Sequence, residues 1–364
     1  MEKLKVGVIG ATGMVGQHYI RLLNNHPWFE VVYVAASARS AGKTFKEAVA
    51  GRWLMEDAMP VQLENIVVEE ATNVDAAKNQ CDFVFSAVEI SKEAVRELEN
   101  TYASQGIPVV SNNSAHRHTS DVPMIIAEIN DHHLEIIPTQ QKRFNNNKGF
   151  VVVKPNCSLQ SYMTPVYALI KAGYPIQDMI VSTMQAVSGA GYPGVSSLDM
   201  VDNVVPYIGG EEEKSEVEPL KILGDIKNGE FENYQGINIS AHCNRVGVID
   251  GHMACVSLKF RERKPGIEEI KSIWSSFTAV PQELDLPLAP KQPVIYMEEA
   301  DRPQPRKDRN LDKAMAVTVG RLRECNVFDY RFVGLSHNTV RGAAGGGVLN
   351  AELLKARGFL TSQV

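Results

Sequence analysis

Cysteine is scarce in this sequence and shows no spacing pattern. Its 364 residues include five cysteines (Cys81, Cys157, Cys243, Cys255 and Cys325), an odd number with no pair at C-x-x-C spacing. That pattern offers neither a zinc site nor a redox dithiol, so no metal is expected, and reduced thiols in a cytoplasmic compartment are the simplest reading. No apolar run approaches the roughly 20 residues that a membrane helix needs. A first strand expected from Leu4 leaves no room for a signal peptide. Positive charge is not in excess. The net charge of −6 argues against nucleic acid or an anionic membrane as the main partner, while leaving room for local basic sites that take small anions. There is no internal repeat and no low-complexity tract.

The composition is that of an ordinary globular protein, 44% hydrophobic and 22% charged, over a length that supports two domains. The run Val6-Gly7-Val8-Ile9 reads as a buried strand and passes directly into Gly10-Ala11-Thr12-Gly13-Met14-Val15-Gly16. Val15, Tyr19, Leu22 and Leu23 then recur at helical spacing. Further strands are predicted at 31–35, 81–87 and 107–111, with helix-like stretches ahead of the last two. Alternating strands and helices imply an α/β fold, a Rossmann-type doubly wound parallel sheet over residues 1–150. The polar stretch Pro138–Gly149 reads as the boundary. Beyond it, strands predicted at 180–185, 237–240, 246–249, 255–260 and 317–322 suggest a more antiparallel, α+β second domain over 151–335, with Asp250-Gly251 as a turn. Ala300–Lys313 reads as an exposed loop, and Gly342–Leu354 as a glycine-rich turn feeding a helix.

Three glycines between a strand and a helix let the backbone approach a pyrophosphate, and the helix N-terminus supplies N–H groups to it. Gly10, Thr12, Gly13, Met14 and Val15 are therefore candidate cofactor contacts, with Ser86 at the end of a later strand. An NAD site usually carries an acid at the end of the second strand. Here the chain reads Ala36-Ser37-Ala38-Arg39-Ser40-Ala41-Gly42-Lys43. Hydroxyls and cations at Ser37, Arg39 and Ser40 suit a 2′-phosphate, so NADP(H) is the expected cofactor; a solvated loop is the bland alternative.

Cys157 follows the apolar run Phe150–Val153 and the break Lys154-Pro155-Asn156, and a helix-compatible stretch begins there. A thiol at a helix N-terminus is favoured as thiolate, which is the nucleophilic form. His252, after the Asp250-Gly251 turn, opens a strand and is the best-placed general acid/base of the nine histidines. Asn156 could donate to a developing oxyanion or cap a helix. Arg245, in an apolar neighbourhood, suits a substrate carboxylate or a structural ion pair. Arg117 and Lys214 read as phosphate-binding cations or as surface charges.

The order and spacing of these segments resemble aspartate-β-semialdehyde dehydrogenases, most of all the archaeal and fungal branch. The resemblance spans the chain and rests on Gly10–Gly16, Ser111–Arg117, Lys154–Ser158, Gln185–Gly191, Gly209–Lys214, Asn244–His252 and Ser336–Gly342. It implies Cys157 as nucleophile, His252 as acid/base, and Gln185 as an aid in positioning the substrate. It assigns Arg245 to the substrate carboxylate, Glu211 to the amino group, and Arg117, Lys214 and Asn112 to the phosphate. Ser188 and Gly189 would lie along the cofactor, and Asn338 would reach the nicotinamide amide. Residues 336–364 would then return to the first domain. The implied reaction converts L-4-aspartyl phosphate to L-aspartate 4-semialdehyde with NADPH, for lysine, threonine and methionine synthesis, in a homodimer or homotetramer. Malonyl-CoA reductase is the nearest rival, and Glu211 speaks against it. N-acetyl-γ-glutamyl-phosphate reductase and glyceraldehyde-3-phosphate dehydrogenase fit the cysteine context less well. A non-catalytic NADP-binding sensor would have little need of both Cys157 and His252. Ala127 departs from the pattern, where a proline is half expected.

Overall fold

The computed structural model describes residues 2–362. Strands β1 (Leu4–Ile9), β2 (Phe29–Ala36), β3 (Glu69–Glu70), β4 (Phe83–Ser86), β5 (Val109–Ser111) and β6 (Val151–Val153) form one parallel sheet in the order β3-β2-β1-β4-β5-β6. Helices cover both of its faces, so the strands carry apolar residues on both sides: Val6, Val8, Phe83, Val84 and Phe85 are fully buried. The strand order reverses between β1 and β4, which opens a ligand crevice beyond their C-terminal ends. Because β6 belongs to this sheet, the first layer reaches Val153, past the expected boundary at residue 150.

Close packing explains two of the loop glycines. A Cβ on Gly10, whose φ is +83°, would sit 2.3 Å from the Ala87 carbonyl oxygen, and one on Gly16 would sit 2.2 Å from the Gly10 carbonyl oxygen. These contacts bring the helix Met14–Leu23 close onto the sheet, with its N-terminus facing the crevice.

The second sheet comes from the rest of the chain. It begins with β7 (Ile176–Gln185), and a separate hairpin follows, β8 (Asp225–Lys227) with β9 (Glu230–Glu232). Its other strands are β10 (Asn238–Arg245), β11 (His252–Phe260), β12 (Val294–Met297), β13 (Val317–Glu324) and β14 (Tyr330–Ser336), and the order is β10-β7-β11-β14-β13-β12. The centre is antiparallel, as the sequence suggests, but both edges pair parallel, β10 with β7 and β12 with β13. Val246–Ile249 is not the predicted strand. Its carbonyls at Val248 and Ile249 instead accept the N–H groups of Val187 and Ser188, so this stretch spends its backbone on holding the neighbouring turn. The helices Met163–Lys171 and Ile267–Ser276 pack against each other beside this sheet, and the indole of fully buried Trp274 donates to the Pro165 carbonyl at 2.9 Å. The Ala300–Lys313 stretch is less of a loop than expected, since it holds the one-turn helix Pro305–Asp308, whose Asp308 is buried and paired with Arg302.

After β14 the chain crosses back. Val348, Leu349, Leu353 and Leu354 of the helix Gly345–Ala356 join the core made by Val6, Val8, Phe83, Phe85 and Val110. Glu352 ties this helix to both parts of the chain. It accepts from His26 Nε2 at 2.8 Å and from the Leu288 N–H at 3.0 Å. The glycines of the helix permit close contact, since a Cβ on Gly347 would lie 2.0 Å from the hydroxyl of buried Tyr19, which stacks on Phe85 at 4.5 Å. Gly347→Ala should therefore destabilise the fold by about 1–3 kcal/mol, the usual cost of overpacking, read as a lower urea midpoint with an unchanged slope. An unaltered midpoint would mean that Tyr19 has room to move.

Candidate active site

β6 delivers Lys154-Pro155-Asn156 to the crevice, and Cys157 starts a four-residue 3-10 turn, Ser158–Ser161. Tyr162 breaks that turn at φ −142°, and the α-helix proper begins only at Met163. The expected helix N-terminus at the thiol is thus a short turn with little dipole. Burial pushes the Cys157 thiol above its ordinary value, the Glu211 carboxylate adds to this, and Lys154, Arg117 and Arg245 oppose it. In the free site the thiol is favoured, which corrects the expectation of a resting thiolate. Part of the Cys157 surface stays open, so a substrate can reach it.

β11 opens with His252, fully buried, and its Nε2 lies 3.4 Å from Cys157 Sγ. The Ala186 N–H donates to Nδ1 at 3.0 Å. An occupied acceptor at Nδ1 leaves the ring proton on Nε2, so a neutral imidazole presents its N–H to sulfur. Burial, and then Arg245, push the His252 pKa well below the usual histidine range, in keeping with a neutral ring.

The first turn of the helix Glu211–Ile222 carries three glutamates, and they diverge. The buried Glu211 accepts from Asn156 Nδ2 at 2.8 and 2.9 Å, from Gln185 Nε2 at 2.9 Å and from Lys214 Nζ at 2.7 Å. Glu212 turns instead to the Cys243 N–H. Asn156 accepts from the Ser158 N–H through Oδ1 at 2.8 Å, so its side chain is a turn cap with its amide hydrogens aimed at Glu211. The oxyanion-donor reading of Asn156 is not what this arrangement shows. Arg117 is buried and paired with Glu218 at 2.9 Å. Asn112 follows β5, half-buried, with its Oδ1 unpartnered.

Arg245 closes β10, and one of its nitrogens donates to the Ala186 carbonyl at 2.7 Å. Among the described residues it has no carboxylate partner within ion-pair distance, so the structural ion pair is absent and the guanidinium can take an anion. Gly189 sits against this pair: its Cβ would meet Arg245 at 2.9 Å and the His252 ring at 3.1 Å. Asn338 donates to Ser188 Oγ and accepts from the Gly251 N–H, both at 2.8 Å, which brings three distant segments together.

A cleft of about 510 Å³ runs along Gly10, Thr12, Gly13 and Met14 to Ser37 and Arg39. A Cβ on Gly13 would meet nothing nearer than 3.4 Å, so its face is open for close approach by a phosphate. With an arginine and a serine at the end of β2, the residues fit a phosphorylated dinucleotide. Six predicted contacts do not line this cleft, and Ser188, Gly189 and Asn338 among them stand in the separate cluster just described. Val15 packs on the core, Ser40 is buried, and Ser86 Oγ accepts from Asn113 Nδ2. Arg52, Glu89 and Tyr192 do line it, and sequence reasoning missed them because each comes from a segment with no motif of its own. Lys154 and Glu218, both buried near Cys157, were missed for the same reason.

Comparison with known proteins points in one direction. A family model described as "Semialdehyde dehydrogenase, NAD binding domain" matches residues 5–137, and one described as "Semialdehyde dehydrogenase, dimerisation domain" matches residues 166–341. A protein of Aspergillus fumigatus named aspartate-semialdehyde dehydrogenase is 44% identical over 98% of this chain and 99% of its own. One of the same name from Methanothermobacter thermautotrophicus is 44% identical over 96% of this chain and 99% of its own. The crystal structure of the Candida albicans enzyme of that name with NADP superposes with a TM-score of 0.90 at 39% identity, over 98% of this chain and 100% of its own.

Because Arg39 is the cation at the end of β2 inside the cleft, Arg39→Ala should weaken NADPH roughly tenfold, about the worth of one charge-assisted hydrogen bond, and NADH far less. Fluorescence titration with both nucleotides measures this, and equal losses would place the 2′-phosphate elsewhere.

Proposed function

The chain belongs to the semialdehyde dehydrogenase family, and on that premise we propose that it catalyses the NADPH-dependent reductive dephosphorylation of L-4-aspartyl phosphate to L-aspartate 4-semialdehyde. The observation that carries the reading is the placement of Cys157 Sγ 3.4 Å from His252 Nε2, with the carboxylate-free Arg245 beside them.

The Cys157 thiol loses its proton, its sulfur attacks the acyl carbon, the tetrahedral oxyanion collapses, and phosphate leaves, carrying the equivalent of that proton as hydrogen phosphate, to give a thioester. The 3-10 turn that starts at Cys157 supports the reading of its backbone N–H as oxyanion donor, since the Asn156 amide is engaged with Glu211. Arg245 would hold the substrate carboxylate at a fixed distance from sulfur. Glu211 would face the amino group while Gln185 orients it, and Arg117, Lys214 and Asn112 would receive the phosphate. Gly10, Thr12, Gly13, Met14, Ser37 and Arg39 would hold NADPH, which when bound supplies the hydride that reduces the thioester. Ser188, Gly189 and Asn338 would lie at its nicotinamide end. The Nε2–H of His252 stabilises negative charge on sulfur and on the adjacent oxygen. For His252 to cycle as acid and base, the Ala186 N–H must release Nδ1.

The five free cysteines and the family's dimerisation domain support a cytoplasmic homodimer or homotetramer. No described helix is long and apolar enough to cross a membrane. Malonyl-CoA reduction is the reading to test beside this one, since it needs the same thiol but no group for an amine.

Purified protein should reduce NADP⁺ with L-aspartate 4-semialdehyde only when phosphate is present. Activity with malonyl-CoA and none with the semialdehyde would replace the substrate. Cys157→Ser should lower kcat by at least about a thousandfold while NADPH still binds. Turnover near that of the parent would exclude a thioester. Gly189→Ala should cost about 10–100-fold in kcat/KM, because the added methyl displaces Arg245 and His252 by a fraction of an ångström; an unchanged value would mean that the loop yields freely.

A further inference from the structure

Every account of Cys157 as a nucleophile needs a positive charge to balance the thiolate, and the cations around it are not equivalent. In the free site His252 is neutral, since an imidazolium would set an Nδ1–H against the Ala186 N–H. Arg117 is neutralised by Glu218 at 2.9 Å. Arg245 faces the substrate side and is spoken for by the substrate's carboxylate. Lys154 remains. It is 97% buried by its 3% exposure, and its Nζ donates to the Pro155 carbonyl at 2.5 Å. Among the described residues no carboxylate lies within ion-pair distance of it. The one acid lining the small cavity beside it, Glu128, is taken by Arg341 at 2.9 Å.

Its position relative to the thiol follows from the C-terminal turn. A Cβ on Gly342 would lie 2.8 Å from Cys157 Cβ, and one on Gly346 would lie 4.0 Å from Lys154 Cδ. The lysine stem and the cysteine, three residues apart in the chain, therefore lie against the same short C-terminal segment, which bends at Ala343 between the two glycines.

We propose that Lys154 is a positioning residue for the chemistry of Cys157: its buried, carboxylate-free ammonium is the charge that balances the thiolate. The proposal rests on Cys157 being the reactive thiol, and it does not depend on which acyl substrate is used. Burial and Arg117 lower the Lys154 pKa to about 7, and burial raises that of Cys157, so each charge is costly alone and less so beside the other. Lys154, Arg117 and Arg245 all favour the thiolate, and Glu211 opposes them. Glu218 and Glu211 in turn favour the charged lysine.

The test is the pH dependence of iodoacetamide alkylation at Cys157, followed on the Cys157 peptide by mass spectrometry so that the other four thiols do not contribute. In Lys154→Met the alkylation midpoint should move up by about one pH unit or more, the shift expected when an opposite charge is removed from a buried site. Lys154→Arg should stay within about half a unit of the parent, since it keeps the charge. Lys154→Gln, which can still donate to the Pro155 carbonyl, serves if the methionine variant does not fold, and should shift like it. Parent and folded neutral variants with the same midpoint would overturn the proposal, as would an arginine variant that shifts as far as the neutral ones. An inactive substrate assay would leave this readout untouched, so the two readings fail separately.

Discussion

Two carboxylates on one helix hold the nucleophile turn, and most of the site depends on them. Glu211 and Glu218 are seven residues apart on Glu211–Ile222, two turns of one face, and both bond Asn156. Glu218 takes its backbone N–H and pairs with Arg117, while Glu211 takes its side chain together with Gln185 and Lys214. A buried carboxylate is tolerated only when paired and hydrogen-bonded. Each glutamate therefore enforces the placement of its partners, and those partners are the end of β6, the end of β7 and the loop after β5. Lys221, one turn further on, donates to the carbonyls of Arg117, Thr119 and Val122, which fixes that loop to the same helix.

How much of this was legible in the sequence depends on whether the information was local. The strand, glycine loop and helix at Leu4–Leu23 were readable because each glycine answers a contact made within the same βαβ unit or with its neighbouring strand. Cys157 and His252 stood out because a proline break and an Asp-Gly turn mark where strands end or begin. Val246–Ile249 misled because an apolar run satisfies the strand pattern whether its backbone pairs with a strand or props up a turn. The state of the thiol was misjudged for a related reason. A helix start can be inferred from a break in the pattern, but whether the first turn is a 3-10 piece closed by Tyr162 depends on what packs against it. The roles of Arg52, Tyr192 and Lys154 were hidden because nothing in their own neighbourhood marks a cleft or a buried charge.

The first and second sheets meet through small residues. Gly342, Gly346 and Gly347 lie against Cys157, Lys154 and Tyr19, and Gly334 on β14 leaves only enough space for the Ser161 carbonyl. Glycines here cost backbone entropy, which the burial of Val348, Leu349, Leu353 and Leu354 offsets at about 25 cal/mol per Å² of apolar surface. The Arg341–Glu128 pair, with the Met315 carbonyl and the Thr164 hydroxyl also accepting from the guanidinium, fixes the crossing between the two parts.

Asn338 joins Ser188 to Gly251, and the helix that follows it covers the first sheet, so both contacts wait for the last part of the chain to be synthesised. On the ribosome the nucleotide fold would be nearly complete in sequence long before its final covering helix emerged. During that interval Gly342 would not yet press on Cys157, and the Asn338 clamp on the Ser188 turn would be missing. The full arrangement around Cys157 would be clamped only when that last segment docks.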